Sequence, residues 1–184
     1  TGEFVGVFAE VREPGGLLFL PDLDPPQVAV CSAGEDNAVK FFTLDGAEVD
    51  SVSHSETHAP LDLAVHPDDP GAIVVVFEQT EEDSTTTTEV WNECITSADC
   101  SSSGLLAFGI FGQVVASSAK LGAALLIDDH DEDPKIVKCA ETCSPFIACP
   151  STRTSWTPTA ILVDDERELV LVGDSENLEV HAYI

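Results

Sequence analysis

The chain is short of positive charge: among 184 residues, 7 Lys and Arg stand against 34 Asp and Glu, for a net charge of −27. Neutralising a phosphate backbone takes clustered cations, so binding to nucleic acid or to an anionic membrane by bulk electrostatics is excluded. Chemistry on polyphosphates, which needs a cationic clamp, is disfavoured on the same ground. No apolar run approaches the roughly 18 residues of a membrane span, so membrane insertion is not expected. There is no Met, and residue 1 is Thr, which predicts loss of an N-terminal segment by processing. Helical periodicity is scarce as well, limited to an Ala- and Leu-containing stretch at 119–127.

What is present is apolar enough to fold. At 43% hydrophobic residues the chain lies outside the disordered class and is long enough for one domain spanning 1–184. The apolar runs are rich in Val, Ile and Phe and fall at 28–31, 39–44, 61–65, 72–77, 105–115, 123–127, 160–163, 169–172 and 178–184. Gly, Pro, Asp and Asn bound them, the signature of strands and turns. The fold class is therefore all-β, with about a dozen short strands.

An internal repeat refines this. Residues 27–44 and 168–184 each read as an apolar strand, a polar turn ending in Asn37 or Asn177, and a second strand. A third copy has 72–77 as first strand and 105–111 as second, with 78–104 read as an inserted loop. Segments 17–20, 61–65 and 160–163 precede the first strands. Three steps of about 47 residues separate Asn37 from Asn177, the period of four-stranded propeller blades. About four blades follow, as a closed ring or as one piece of a larger propeller completed by another chain. In a closed ring, residues 4–11 would pair near 180–184 as the outer strand of the last blade.

The strand–turn–strand at 37–46 and the segment 163–172 resemble the repeats of secreted β-propellers, among them phytase-like, lactonase-like and surface-anchored propeller proteins. The resemblance implies architecture. A phytase-like activity would further imply calcium and phosphate held by carboxylates with several Lys and Arg, which this chain does not have to offer.

Six cysteines, Cys31, Cys94, Cys100, Cys139, Cys143 and Cys149, are disulfide candidates. An even count in Ser-, Thr- and Pro-dense context points to an oxidising, extracellular compartment. Cys94 and Cys100 suit a local staple; Cys139, Cys143 and Cys149 offer at least one further bridge, with Cys31 as a partner for the third. Zinc held by the last three is the alternative, at a C-x3-C-x5-C spacing unlike zinc knuckles. The acidic surplus fits a saline, marine or halophilic setting, or a calcium-rich one.

Candidate sites follow from these patterns. The segment 78–104 carries Glu81, Glu82, Asp83 and Trp91 as an interaction loop, and Thr85, Thr86, Thr87 and Thr88 as O-glycosylation candidates. Asp128, Asp129, Asp131 and Asp133 form the densest acidic run and a candidate calcium site, although Pro134 stands where an EF-hand needs Gly. His54, His58 and His66 cluster in sequence and read chiefly as surface residues. Gly173, Asp174 and Ser175 resemble an esterase nucleophile block but sit in a β-turn. Trp156, Phe108 and Phe111 read as packing residues.

The expectation is a non-catalytic, secreted structural or recognition module of a cell surface, matrix or filament, displaying loops on a rigid scaffold. Its partners would be other protein chains, through self-assembly or a chain completing the propeller. No cofactor is required. The alternative is a calcium-dependent propeller hydrolase, phytase-like or lactonase-like, with Asp128, Asp129, Asp131 and Asp164 holding the metal.

Overall fold

A computed structural model describes residues 6–53, 57–69, 71–80, 86–94, 104–108, 113–128, 134–140, 142–148 and 155–184. Its elements are all strands: β1 (Pro14–Leu20), β2 (Gln27–Ser32), β3 (Ala38–Thr43), β4 (Glu48–Ser53), β5 (His58–Val65), β6 (Ala72–Thr80), β7 (Thr86–Cys94), β8 (Gly104–Phe108), β9 (Val115–Ser118), β10 (Ala123–Asp128), β11 (Lys135–Cys139), β12 (Cys143–Ile147), β13 (Pro158–Asp164), β14 (Leu169–Asp174) and β15 (Glu179–Tyr183). They form four antiparallel meanders in chain order: β1 to β4, β5 to β8, β9 to β12, and the three-stranded β13 to β15. This is a four-bladed β-propeller arrangement.

The blades stack because both faces of their middle strands are apolar. Strands in a propeller are sandwiched between neighbouring sheets, so continuous Val, Ile and Leu runs replace the alternation of a one-sided sheet. Three buried clusters fill the seams. Ala29, Cys31, Val39 and Phe41 of blade 1 meet Leu63, Ile73, Val75 and Phe77 of blade 2. The other face of blade 2, with Val74, Val76 and Val90, meets Ala124, Leu126 and Val137 of blade 3. Leu125, Ile127 and Ile136 then pack on Trp156, Val170 and Val172 of blade 4. Trp156 lies fully in this last seam, its indole N–H donating to the Pro134 carbonyl at 2.5 Å.

The innermost strands approach closely. At Gly16 of β1, a Cβ would lie 2.7 Å from the Asp62 Cα of β5, and at Gly15 one would lie 2.5 Å from the Leu61 carbonyl oxygen. Glycine is required here for contact between blades, not for an unusual φ.

Four expectations are corrected. The segment 78–104 is no inserted loop: β6 continues to Thr80, and Thr86–Cys94 forms β7, paired along its length with β6. Its Thr-Thr-Thr-Glu-Val-Trp run is β-branched and aromatic, so it supplies the third strand of blade 2 and leaves Leu105 to the fourth. The stretch 119–127 is a turn followed by β10, because neighbouring sheets bury Ala123, Ala124, Leu125 and Leu126 alike. The blade-4 turn ends at Leu178 and not at Asn177; Leu178, which is left-handed, sits immediately before β15, as Asn37 sits before β3. Finally, residues 6–11 are not a strand on blade 4. They lie on blade 1, with Phe8 edge-on to Phe42 at 6.2 Å, because that face of blade 1 has no neighbouring blade to bury it.

Candidate recognition surface

The seams are pinned by carboxylates. Asp62 in β5 accepts the Val115 N–H at 2.9 Å, joining blade 2 to blade 3. Burial pushes the Asp62 carboxyl up from its ordinary range, against the backbone hydrogen bonds from Val115 and Leu63. Asp165, in the turn after β13, caps the turn after β9: it accepts the Ser118 hydroxyl at 2.5 Å and the Ala119 N–H at 2.9 Å, joining blade 3 to blade 4.

Other carboxylates stabilise turns within blades. Asp174, buried at the end of β14, accepts the Thr157 N–H at 3.1 Å, the Asn177 side-chain amide at 2.7 Å and the Glu176 N–H at 3.1 Å, with the His181 ring at 3.3 Å. Burial raises its pKa, yet the hydrogen bonds from Asn177, Thr157 and His181 outweigh that and hold it well below the usual carboxylate range. Blade 1 carries a related turn, in which Lys40 pairs with Asp36 at 3.0 Å and lowers its pKa. Of the three residues expected in a turn, Gly173 and Asp174 instead end β14 and pair with β15, and Ser175 opens the turn.

Between blades 3 and 4 opens a groove of about 450 Å³. Leu121, Phe146, Ile147, Val163 and Tyr183 line it, and the Lys120–Glu168 ion pair sits at its wall. Phe146 is 43% exposed, an aromatic held out to solvent beside the opening. An apolar floor with a few polar groups at the rim is suited to taking an apolar side chain of a partner. Sequence reasoning missed this groove; its only signal was an aromatic, Phe146, in the Ser-, Pro- and Cys-dense segment 139–150.

The residues singled out in the sequence are distributed differently. Trp91 is not displayed: it packs against the blade 1–2 core and donates its indole N–H to Glu89 at 2.6 Å. Glu89 also faces His58, at 3.2 Å, so His58 is a buried strand residue and not a surface one. His66 stands at the far side of β5 from His58, its Nδ1 accepting the Asp68 N–H at 3.2 Å. Thr88 is buried in β7, which removes its hydroxyl from glycosylation. Asp128 faces its cross-strand partner Lys135 at 3.3 Å on blade 3, and Asp164 pairs with Arg167 on blade 4, so the two are not brought to one site. Glu81, Glu82, Asp83, Thr85, Asp129, Asp131, Asp133, His54, Phe111, Cys100 and Cys149 lie outside the described residues, as do the side chains of Thr86, Thr87, Cys94 and Phe108.

Among the cysteines, Cys139 and Cys143 form a disulfide across the turn between β11 and β12, their Cα atoms 4.1 Å apart. Cys31 corrects the expectation of a bridge: it is a free thiol in the blade 1–2 core. Burial, helped by the negative charge of Asp62, pushes its pKa up to about 12.

No protein-family profile and no curated protein matches the sequence. Solved structures do match its fold. A chain of a ctPRC2 complex superimposes with a TM-score of 0.55 at 14% identity, over 92% of this chain and 36% of that one. A chain of a humanized mutant of the Chaetomium thermophilum Polycomb Repressive Complex 2 does so with a TM-score of 0.51 at 16% identity, over 88% and 35%. At such identity the likeness is one of fold alone. The chain spans about a third of the length of these neighbours.

Proposed function

We propose that the chain is a non-catalytic recognition scaffold of an extracellular or cell-surface assembly, and that it holds a protein partner through the groove between blades 3 and 4. The observation that carries this reading is the groove itself: an apolar floor, an exposed Phe146 and a rim ion pair, built on two blades that Asp165 locks together. The known carboxylate contacts support it, since Asp62, Asp165 and Asp174 are spent on backbone and turn donors. The Cys139–Cys143 disulfide supports an oxidising compartment. The solved neighbours belong to multi-subunit complexes, which is consistent with protein partners.

The test is selection of random linear peptides on the immobilised protein. Bound peptides should share an apolar anchor, and Phe146→Asp should abolish their binding with the far-UV spectrum unchanged. Peptides that bind the variant equally well would overturn the groove as the site.

A further inference from the structure

Among the described residues, the two ends of the blade series are open, and their features match each other. On blade 4, the face turned away from blade 3 is apolar: Ala160 and Leu162 of β13, Leu171 of β14, and Val180 and Ala182 of β15 share it by strand register. Leu162 is 60% and Val180 70% exposed. Among the described residues, β15 pairs only with β14, so its outer edge offers unpaired backbone groups. Faces of this kind on blades 1, 2 and 3 are each covered by the next blade.

Blade 1 presents the complementary end. Leu17 and Phe19 of β1, on the face turned away from blade 2, are 67% and 50% exposed. Beside them residues 6–13 run from the β3–β4 turn, where Phe8 meets Phe42, to the β2–β3 turn, where Glu13 accepts the Ala33 N–H at 3.3 Å. That course is antiparallel to β3. It is the position and direction of the outer strand of a blade preceding blade 1, and a blade-4 sheet seated there would have β15 as its neighbour.

We infer that two copies of the chain associate head to tail: blade 4 of each seats on the open face of blade 1 of the other, and residues 6–11 add the fourth strand beside β15. Two such seams are identical and close a twofold ring of eight blades, within the roughly four to eight that propellers use. Each open face is covered by a seam of the kind already present three times within the chain, and the open edge of β15 is paired. The inference rests on the blade geometry, and the added strand would border the groove, because Tyr183 of β15 lines both.

Sedimentation velocity of the full chain at physiological salt tests it. The wild type should sediment at twice the monomer mass. Leu17→Asp and Leu162→Lys, both at exposed positions and each to be checked for an intact monomer fold by circular dichroism, should each be monomeric. An equimolar mixture of the two should recover the dimer, because one seam is then wild type and the other joins Asp to Lys. A monomeric wild type, a dimer that survives either substitution, or a mixture that stays monomeric would overturn the proposal.

Discussion

Gly16→Ala places the close approach of blades 1 and 2 under direct test. A Cβ at this position would sit 2.7 Å from the Asp62 Cα and nearer still to a carboxylate oxygen of Asp62, where ordinary contact is 3.4–4 Å. The Cα is backbone and cannot swing aside, so β1 must retreat by about 0.7–1 Å, a gap that forfeits a quarter to a half of each affected contact. Overpacking of this kind costs about 1–3 kcal/mol. The change from glycine to alanine also stiffens the unfolded chain, which by itself stabilises by about 0.4–1 kcal/mol. Steric cost wins, for a net loss of about 1–2 kcal/mol and a fall in Tm of about 2–8 °C for a chain of this length. Gly71→Ala is the control, since a Cβ there meets only the Asp69 carboxylate tip at 3.3 Å. Thermal unfolding followed by circular dichroism reads both. A Gly16→Ala variant as stable as the wild type, or more so, would refute the reasoning, because relief of chain entropy would then be the only effect at work.

Further outcomes follow from the same seams and turns. Asp62 has a raised pKa in the folded state, so the fold binds its proton more tightly and loses stability as pH rises from the unfolded value of 3.8 through the folded one. Asp62→Asn, which keeps an acceptor for the Val115 N–H, should therefore gain stability over the wild type as pH rises through that window, as read by urea melts from acid to neutral pH; a pH-independent difference would contradict it. Cys31 should resist N-ethylmaleimide in the native protein and react on unfolding, measured by peptide mass mapping, since its thiol is buried with its pKa raised to about 12; prompt native labelling would place it outside the core. Leu178, 89% exposed at φ 56°, carries a side chain in a left-handed conformation that favours glycine, so Leu178→Gly should stabilise by about 1 kcal/mol; a lower melting temperature would argue for a side-chain role.

The legible part of the fold is the part buried on both faces. Middle strands such as β2, β6, β10 and β14 are unbroken apolar runs, and the 47-residue period gave four blades because the turns that join second to third strands recur at that interval. Other strands were harder to see. β4, with the sequence Glu48-Val-Asp-Ser-Val-Ser53, is largely exposed, β7 opens on three threonines, and β11 and β12 carry the cysteines of a region that reads as loop. β4 and β12 are edge strands that pack on fewer neighbours, so their sequences need less hydrophobicity, whereas β7 and β11 are interior strands whose Thr and Cys content hides them. The joints were not legible at all. Asp62 and Val115 are 53 residues apart and Asp165 and Ser118 are 47 apart, so each bond exists only once successive blades are stacked. The groove likewise draws Leu121, Phe146 and Tyr183 from two blades. Asp62, Asp165 and Asp174 accept the hydrogen bonds that define the seams and turns, and of these only Asp174 was singled out by its sequence context, as a backbone-bonding residue of a turn.

The measurement that tests the recognition reading most directly is backbone chemical-shift mapping of the isotopically labelled protein titrated with a peptide from the selection. The account predicts perturbations concentrated at Leu121, Phe146, Ile147, Val163 and Tyr183, lost together in Phe146→Asp. Perturbations centred on the acidic turns or on the free face of blade 4, with the groove residues unmoved, would contradict it.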